Sequence, residues 1–208
     1  MNLYESIGKR LFDVVFLSLA LLLCLPVFIL LFIIIKFNSS GPAFFLQKRM
    51  GLKGKEFSLI KFRTMYNDAR KQNLQFEPGV LSRVTVIGRI LRLTKIDELP
   101  QLVNVLKGDM SLVGPRPEVP KYRSMYKGRY EKILDVKPGI TDEASIKYRN
   151  EEDLLSGNDN PDQMYETEIL PDKLNLGLDY IDRGISFKND LRIIFNTVRL
   201  IGKGSLFI

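Results

Sequence analysis

From Val14 to Ile35 the chain carries no charged residue and is mostly Leu, Ile, Val and Phe. As a straight helix this run would reach about 33 Å, enough to cross the hydrocarbon core of a bilayer. A cleaved signal peptide would have a shorter apolar core followed by a small-residue site. Here Ile35 leads instead into Lys36-Phe37-Asn38. Whatever the rest of the chain does, it folds next to a membrane helix.

Two features complicate a plain span. Pro26 sits near the middle, where it lacks an N–H and frees the carbonyl of Leu22, favouring a kink. Basic residues flank both ends, Lys9 and Arg10 before, then Lys36, Lys48 and Arg49 after. The positive-inside rule then favours both ends on the cytoplasmic side. A re-entrant helix that enters, turns at Pro26 and returns satisfies both observations, and a kinked spanning helix is the alternative. The residues leave both open.

The 208 residues suit a membrane helix over 1–40 and one catalytic domain over 41–208. No histidine is present. That excludes Ser-His-Asp and Cys-His nucleophilic pairs, His-ligated zinc and histidine general bases. The single cysteine, Cys24, lies in the apolar run, so no intrachain disulfide or Cys-cluster metal site can form. Net charge is +7, yet Asn150 to Asp182 holds ten acidic residues and one lysine. A basic body with one acidic segment fits an anionic partner such as phospholipid, nucleotide or nucleic acid.

The rest reads as a mixed, helix-rich α/β domain. Ala43–Arg49 and Phe57–Arg63 form two short strands joined by the Gly51–Lys55 turn, whose spacing is not that of a P-loop. Arg83–Lys95 has Val84, Ile87, Ile90 and Leu91 at helical spacing. A further helix is expected from about Asp97, with Pro100 in its first turn and Gly108 at its end. Near the C-terminus Leu191, Ile194, Phe195, Val198 and Ile201 make an apolar stripe beside Lys188, Arg192, Arg199 and Lys203. Such basic amphipathic helices lie in membrane interfaces or pack on their own domain. Asn150–Asn175, rich in Asp, Asn, Glu and Pro, reads as an exposed loop or lid.

Asp97 and Glu98 are the leading candidates for chemistry. At a helix start the dipole and free N–H groups would keep Asp97 ionised. An ionised carboxylate can be a nucleophile or a Mg²⁺ ligand. It can equally be a plain N-cap. Nearby, Arg92, the Pro115-Arg116-Pro117-Glu118 turn and Lys61-Phe62-Arg63-Thr64-Met65 supply the cations that attack at phosphorus requires.

Four stretches carry a resemblance: Lys61-Phe-Arg-Thr-Met65, Asp97-Glu-Leu-Pro-Gln-Leu102, Asn104 through Pro117, and Pro138-Gly-Ile-Thr141. In order and spacing the chain resembles the monotopic phosphoglycosyl transferases, the bacterial sugar transferase family, from about Lys9 to Arg199, in its minimal small form. The resemblance implies a re-entrant helix broken at Pro26 and a catalytic domain on the cytoplasmic face of the inner membrane. It implies that Asp97 attacks the sugar-bearing phosphate of a UDP-sugar, UMP leaves, and a polyprenol phosphate such as undecaprenyl phosphate then takes the phosphosugar. It places Mg²⁺ at Asp97, makes Glu98 the second carboxylate of the pair, and puts Arg92, Arg116, Arg149, Lys61 and Arg63 around the phosphates. There are departures: Leu25-Pro26 stands where relatives have Ser-Pro, and Asp142-Glu-Ala-Ser-Ile-Lys-Tyr-Arg149 replaces a Gly-Trp-Ala-Gln continuation.

The physical reading agrees, since one carboxylate can serve both half-reactions when the lipid phosphate is already ionised. A membrane-anchored scaffold binding anionic lipids would explain the charge and anchor, but not Asp97-Glu98 among arginines. No nucleic-acid recognition motif is present, and a membrane surface accounts for the charge equally well.

Overall fold

The computed structural model of the chain describes residues 4–67 and 83–204. A π-type turn over Tyr4–Gly8 leads into α1, Lys9–Asn38, the one helix among the described residues long and apolar enough to cross a membrane. Its helical run continues through Pro26. The side chains at its middle face outward, with Leu22 and Leu23 each 70% exposed.

Both ends of α1 pack on the rest of the chain. Toward its start, Arg10 donates to the carbonyls of Val105 and Leu106, and Asp13 accepts from the Leu112 amide at 3.2 Å. Leu17 is fully buried in the main core. Toward its end, Ile35 is buried with Ala43, Phe62 and Leu91, while Phe28 lies 5.5 Å from the Phe62 ring. Arg63 holds the closing turn by donating to the carbonyls of Ile35, Ser39 and Ser40, a cation placed where a helix leaves carbonyls without partners.

Strands β1, Phe44–Met50, and β2, Glu56–Phe62, pair antiparallel with Phe44 opposite Phe62 and Met50 opposite Glu56. Each lies one residue from its sequence-predicted bounds. The turn between them uses left-handed backbone at Lys53 and Gly54. Helix α2, Val86–Leu93, is capped by the Thr85 hydroxyl, which accepts from the Gly88 amide at 2.8 Å. Gly88 has to be glycine because a Cβ would run into the Thr64 carbonyl, so α2 seats directly on the end of the hairpin. Next come α3, Gln101–Lys107, ended by Gly108 at φ +90, and β3, Ser111–Val113. Strand β4, Gly139–Thr141, pairs parallel with β3. A Cβ at Gly139 would strike the Gly114 backbone, so glycine allows the close approach that sets up the following Pro115–Glu118 turn.

The segment expected to be an exposed loop is largely helical. After α4, Glu143–Lys147, come α5, Glu151–Ser156, α6, Pro161–Met164, and α7, Leu170–Asp182, with a π-type turn over Tyr165–Ile169. Its polar residues are helix-start signals: Asn160 caps α6, and Pro161 and Pro171 occupy first turns. Leu155, Tyr165, Ile169, Leu170 and Leu174 are buried in a second core with Met50, Val119, Tyr122 and Ile133. An acidic outer face hides that inner stripe from a reading by composition.

The last helix, α8, Phe187–Gly204, turns most of its apolar stripe outward. Among its described side chains Asp190 and Ile193 are buried, and Thr197 bonds Thr141 of β4 at 2.7 Å. Of the expected apolar stripe, Ile194 is partly buried against the core, whereas Leu191, Phe195 and Val198 are 49%, 65% and 62% exposed. The side chains of Ile201 and Lys203 lie outside the described residues.

Candidate active site

After α2 the chain reverses at Lys95, whose backbone is left-handed at φ 58, and enters a single 3-10 turn, Ile96–Glu98. Asp97 therefore does not begin α3, which starts at Gln101. The expectation that Asp97 stands at the start of this helix is corrected here. Asp97 is buried, and burial pushes its carboxyl up to about 6, with Glu98 adding to the rise against the pull of Lys61, Lys95 and Arg92.

Glu98 has the opposite environment. Lys61 donates to its Oε1 at 2.8 Å and Arg116 at 3.0 Å. Burial pushes this carboxyl up, but Arg116 and Lys61 overcome that and hold it well below the usual range. Two adjacent carboxylates are thus driven apart. Glu98 is locked as an anion by two cations, while Asp97 accepts no hydrogen bond from any described residue. This is the pattern in which environment assigns different roles to like groups.

The surrounding elements explain how these side chains meet. Lys61 comes from β2, which α3 braces: Asn104 accepts from the Ile60 amide at 3.0 Å and donates to the Ser58 carbonyl at 2.8 Å. Arg92 reaches in from α2, its Nε on the Thr64 hydroxyl at 2.9 Å and its Nη1 on Glu152 of α5 at 2.9 Å. Arg116 sits on the turn after β3, where its amide donates to Asp142 at 2.9 Å and its Nη1 lies 3.4 Å from the Ser145 hydroxyl. Asp142 also caps α4 through the Ser145 amide at 2.7 Å. The same turn is fixed to β1, because Arg49 donates to the Pro117 carbonyl at 2.9 Å and Met50 to the Glu118 carbonyl at 2.8 Å.

Of the residues singled out from the sequence, Asp97, Glu98, Lys61, Arg92 and Arg116 come together. Two others make their contacts elsewhere. Arg63 spends its guanidinium on the closing turn of α1, and Arg149 donates to the Leu200 carbonyl in α8. Thr64, Lys95, Asp142 and Ser145 join the cluster without having been singled out. Thr64, Asp142 and Ser145 act through Arg92 and Arg116, which are distant in the chain, while Lys95 is marked only by its place two residues before Asp97.

Among the described residues no group of three or more acidic side chains forms a metal cage. Asp97 supplies a hard oxygen donor that no hydrogen bond occupies, and Glu98 is already committed to cations. That donor set fits Mg²⁺ held by one carboxylate together with substrate phosphates, the usual way this ion is bound.

Comparison with known proteins gives the family. The family model for bacterial sugar transferases matches residues 4–204. The uncharacterised sugar transferase EpsL of Bacillus subtilis is 41% identical over 194 residues, covering 93% of this chain and 86% of that protein. The UDP-glucose:undecaprenyl-phosphate glucose-1-phosphate transferase of Caulobacter vibrioides is 38% identical over 196 residues, covering 93% and 69%. The Klebsiella pneumoniae protein of the same name is 39% identical over 203 residues, covering 95% of this chain and 41% of its own length.

Proposed function

The chain belongs to the bacterial sugar transferase family, and on that premise we propose that it transfers a sugar-1-phosphate from a UDP-sugar to undecaprenyl phosphate through a covalent aspartyl intermediate. The observation that carries this reading is the buried Asp97 carboxylate, which accepts no hydrogen bond from any described residue and lies near Lys61, Lys95 and Arg92, with Arg116 on the adjoining Glu98. Two of its relatives are named for glucose-1-phosphate transfer to undecaprenyl phosphate.

In the first half-reaction an Asp97 carboxylate oxygen bonds to the sugar-bearing phosphorus, and the phosphorus–oxygen bond to UMP breaks. UMP departs as an anion and requires no proton. In the second half an oxygen of the lipid phosphate bonds to the same phosphorus, and the bond from that phosphorus to the Asp97 oxygen breaks, restoring the carboxylate. Neither step calls on histidine. Burial favours the chemistry, since a poorly solvated carboxylate with a raised pKa is a stronger nucleophile than one in water. Arg116 and Lys61, positioned through Glu98, offset charge developing on the phosphoryl oxygens. Mg²⁺ held by Asp97 and the substrate phosphates would neutralise phosphate charge.

The membrane arrangement follows the same residues. Arg10 and Asp13 bind α3 and β3, while Ile35 and Phe28 pack on β2. Asn104 ties α3 to β2, so both ends of α1 rest on one body, which favours a re-entrant helix over a spanning one. The exposed stripe Leu191, Phe195 and Val198 on α8, with Val86, Ile90 and Leu93 on α2, suits a domain lying in the interface on the cytoplasmic face.

Incubating the purified chain in nanodiscs with individual UDP-sugars, Mg²⁺ and undecaprenyl phosphate should release UMP and yield a lipid diphosphate sugar with at least one donor. Membrane binding without UMP release from any donor would favour a lipid-binding scaffold.

A further inference from the structure

Among the described residues four cations surround Asp97 and Glu98, and three of them have side-chain partners. Lys61 and Arg116 hold Glu98, while Arg92 is bound to Thr64 and Glu152. The Lys95 ammonium makes no hydrogen bond or ion pair with any described residue. It nonetheless lies within electrostatic reach of Glu98, Arg116 and Asp97, and it is only partly exposed. A half-buried ammonium without a counter-ion is unfavourable unless a ligand supplies one.

The backbone adds an independent sign. Lys95 follows α2 with φ 58 and ψ 14, in the left-handed region. Positions just past a helix that adopt this shape are filled by glycine or asparagine, because a Cβ is crowded there. The chain keeps lysine regardless, and its amide and carbonyl fix the reversal, bonding to the Arg92 carbonyl at 3.1 Å and the Glu98 amide at 3.2 Å. Strain of this kind collects where function needs a side chain in a set place.

We propose that Lys95 is a substrate-contacting residue whose ammonium holds the non-bridging oxygens of the sugar-bearing phosphoryl group. The proposal rests on the aspartyl reading above. Those oxygens stay on phosphorus throughout: the bond to UMP breaks as the bond to Asp97 forms, and the bond to Asp97 breaks as the lipid phosphate attacks. Lys95 gives up no proton in either step. It therefore serves both half-reactions, unlike a cation that binds only the departing UMP.

The test compares the parent chain with Lys95→Asn and Lys95→Arg in nanodiscs. Asparagine tolerates the left-handed backbone, so the Asn variant should unfold at the same temperature as the parent or higher. Formation of the phosphosugar adduct from UDP-sugar, and its discharge by undecaprenyl phosphate, should both slow by about a hundred- to a thousandfold. The Arg variant should recover most of both rates. Rates within about threefold of the parent, a spread too small for a phosphoryl contact, would overturn the proposal. So would a loss confined to adduct formation, which would move Lys95 to the UMP side. Absence of adduct in the parent itself would defeat the covalent reading separately. Lys95 would then be judged on steady-state UMP release, where a loss of about a hundredfold at unchanged unfolding temperature supports the phosphate contact and a near-parental rate refutes it.

Discussion

Asp97 and Glu98 are neighbours in sequence and opposites in environment. Adjacency to arginines marked the pair in the sequence, but the division between them comes from Lys61, 37 residues earlier, and Arg116, 18 residues later. Spacing along the chain cannot reveal which of two carboxylates such cations choose. Burial raises Asp97 to about 6, so its folded form holds a proton more tightly than the unfolded chain does. The stability conferred by the neutral form is therefore complete below the unfolded value of 3.8 and lost as pH rises through about 6. Asp97→Asn imitates the neutral form. In Mg²⁺-free buffer at pH 7.5 it should be more stable than the parent by about 1–3 kcal/mol, with the gain vanishing below about pH 4. Thermal unfolding of both proteins across that range checks the sign, and a variant less stable at pH 7.5 would contradict it. Arg116→Ala removes one of the two cations that lock Glu98. It should lower turnover by about 3–4 kcal/mol in the barrier, a hundred- to a thousandfold, while membrane association persists. Steady-state UMP release and flotation measure the two effects, and near-parental turnover would make the Pro-Arg-Pro turn structural.

Elements were legible where pattern and turn chemistry agreed. The β1–β2 hairpin lies within one residue of its predicted bounds, because two short strand-like runs meet a turn carrying Gly51 and Gly54. The stretch Asn150–Asn175 was not legible, because its prolines and asparagines serve as helix caps and first turns, and its acidic face masks an inner stripe. In α8 the stripe was visible but its facing was not: Asp190, taking hydrogen bonds from Tyr4 and Tyr180 and an ion pair from Lys9, turns the polar side inward. For α1 the run and its basic flanks were plain, while the contacts that return both ends to one body depend on residues far along the chain. A re-entrant α1 predicts that cysteines at Asn2 and Ser40, in a Cys24→Ser background, both react with an impermeant reagent from the cytoplasmic side only. Labelling of either from the opposite side would mean that α1 spans the bilayer.

At the scale of the whole molecule, the proposed reaction requires a soluble nucleotide donor and a lipid acceptor to reach one carboxylate. The chain meets that demand by setting Asp97 in a domain gripped by both ends of an apolar helix and flanked by exposed apolar side chains on α2 and α8. If Asp97 is the nucleophile, the reaction is ping-pong and the first half needs no lipid acceptor. The direct measurement is intact-protein mass spectrometry, with UMP quantified, on enzyme mixed with UDP-sugar and Mg²⁺ alone. The account predicts up to one UMP per active site and a mass gain of one phosphosugar on the peptide containing Asp97. The adduct should disappear when undecaprenyl phosphate is added and be absent from Asp97→Asn. Consumption of both substrates with no adduct at any time, or substantial turnover by Asp97→Asn, would contradict it and point to direct transfer in a ternary complex.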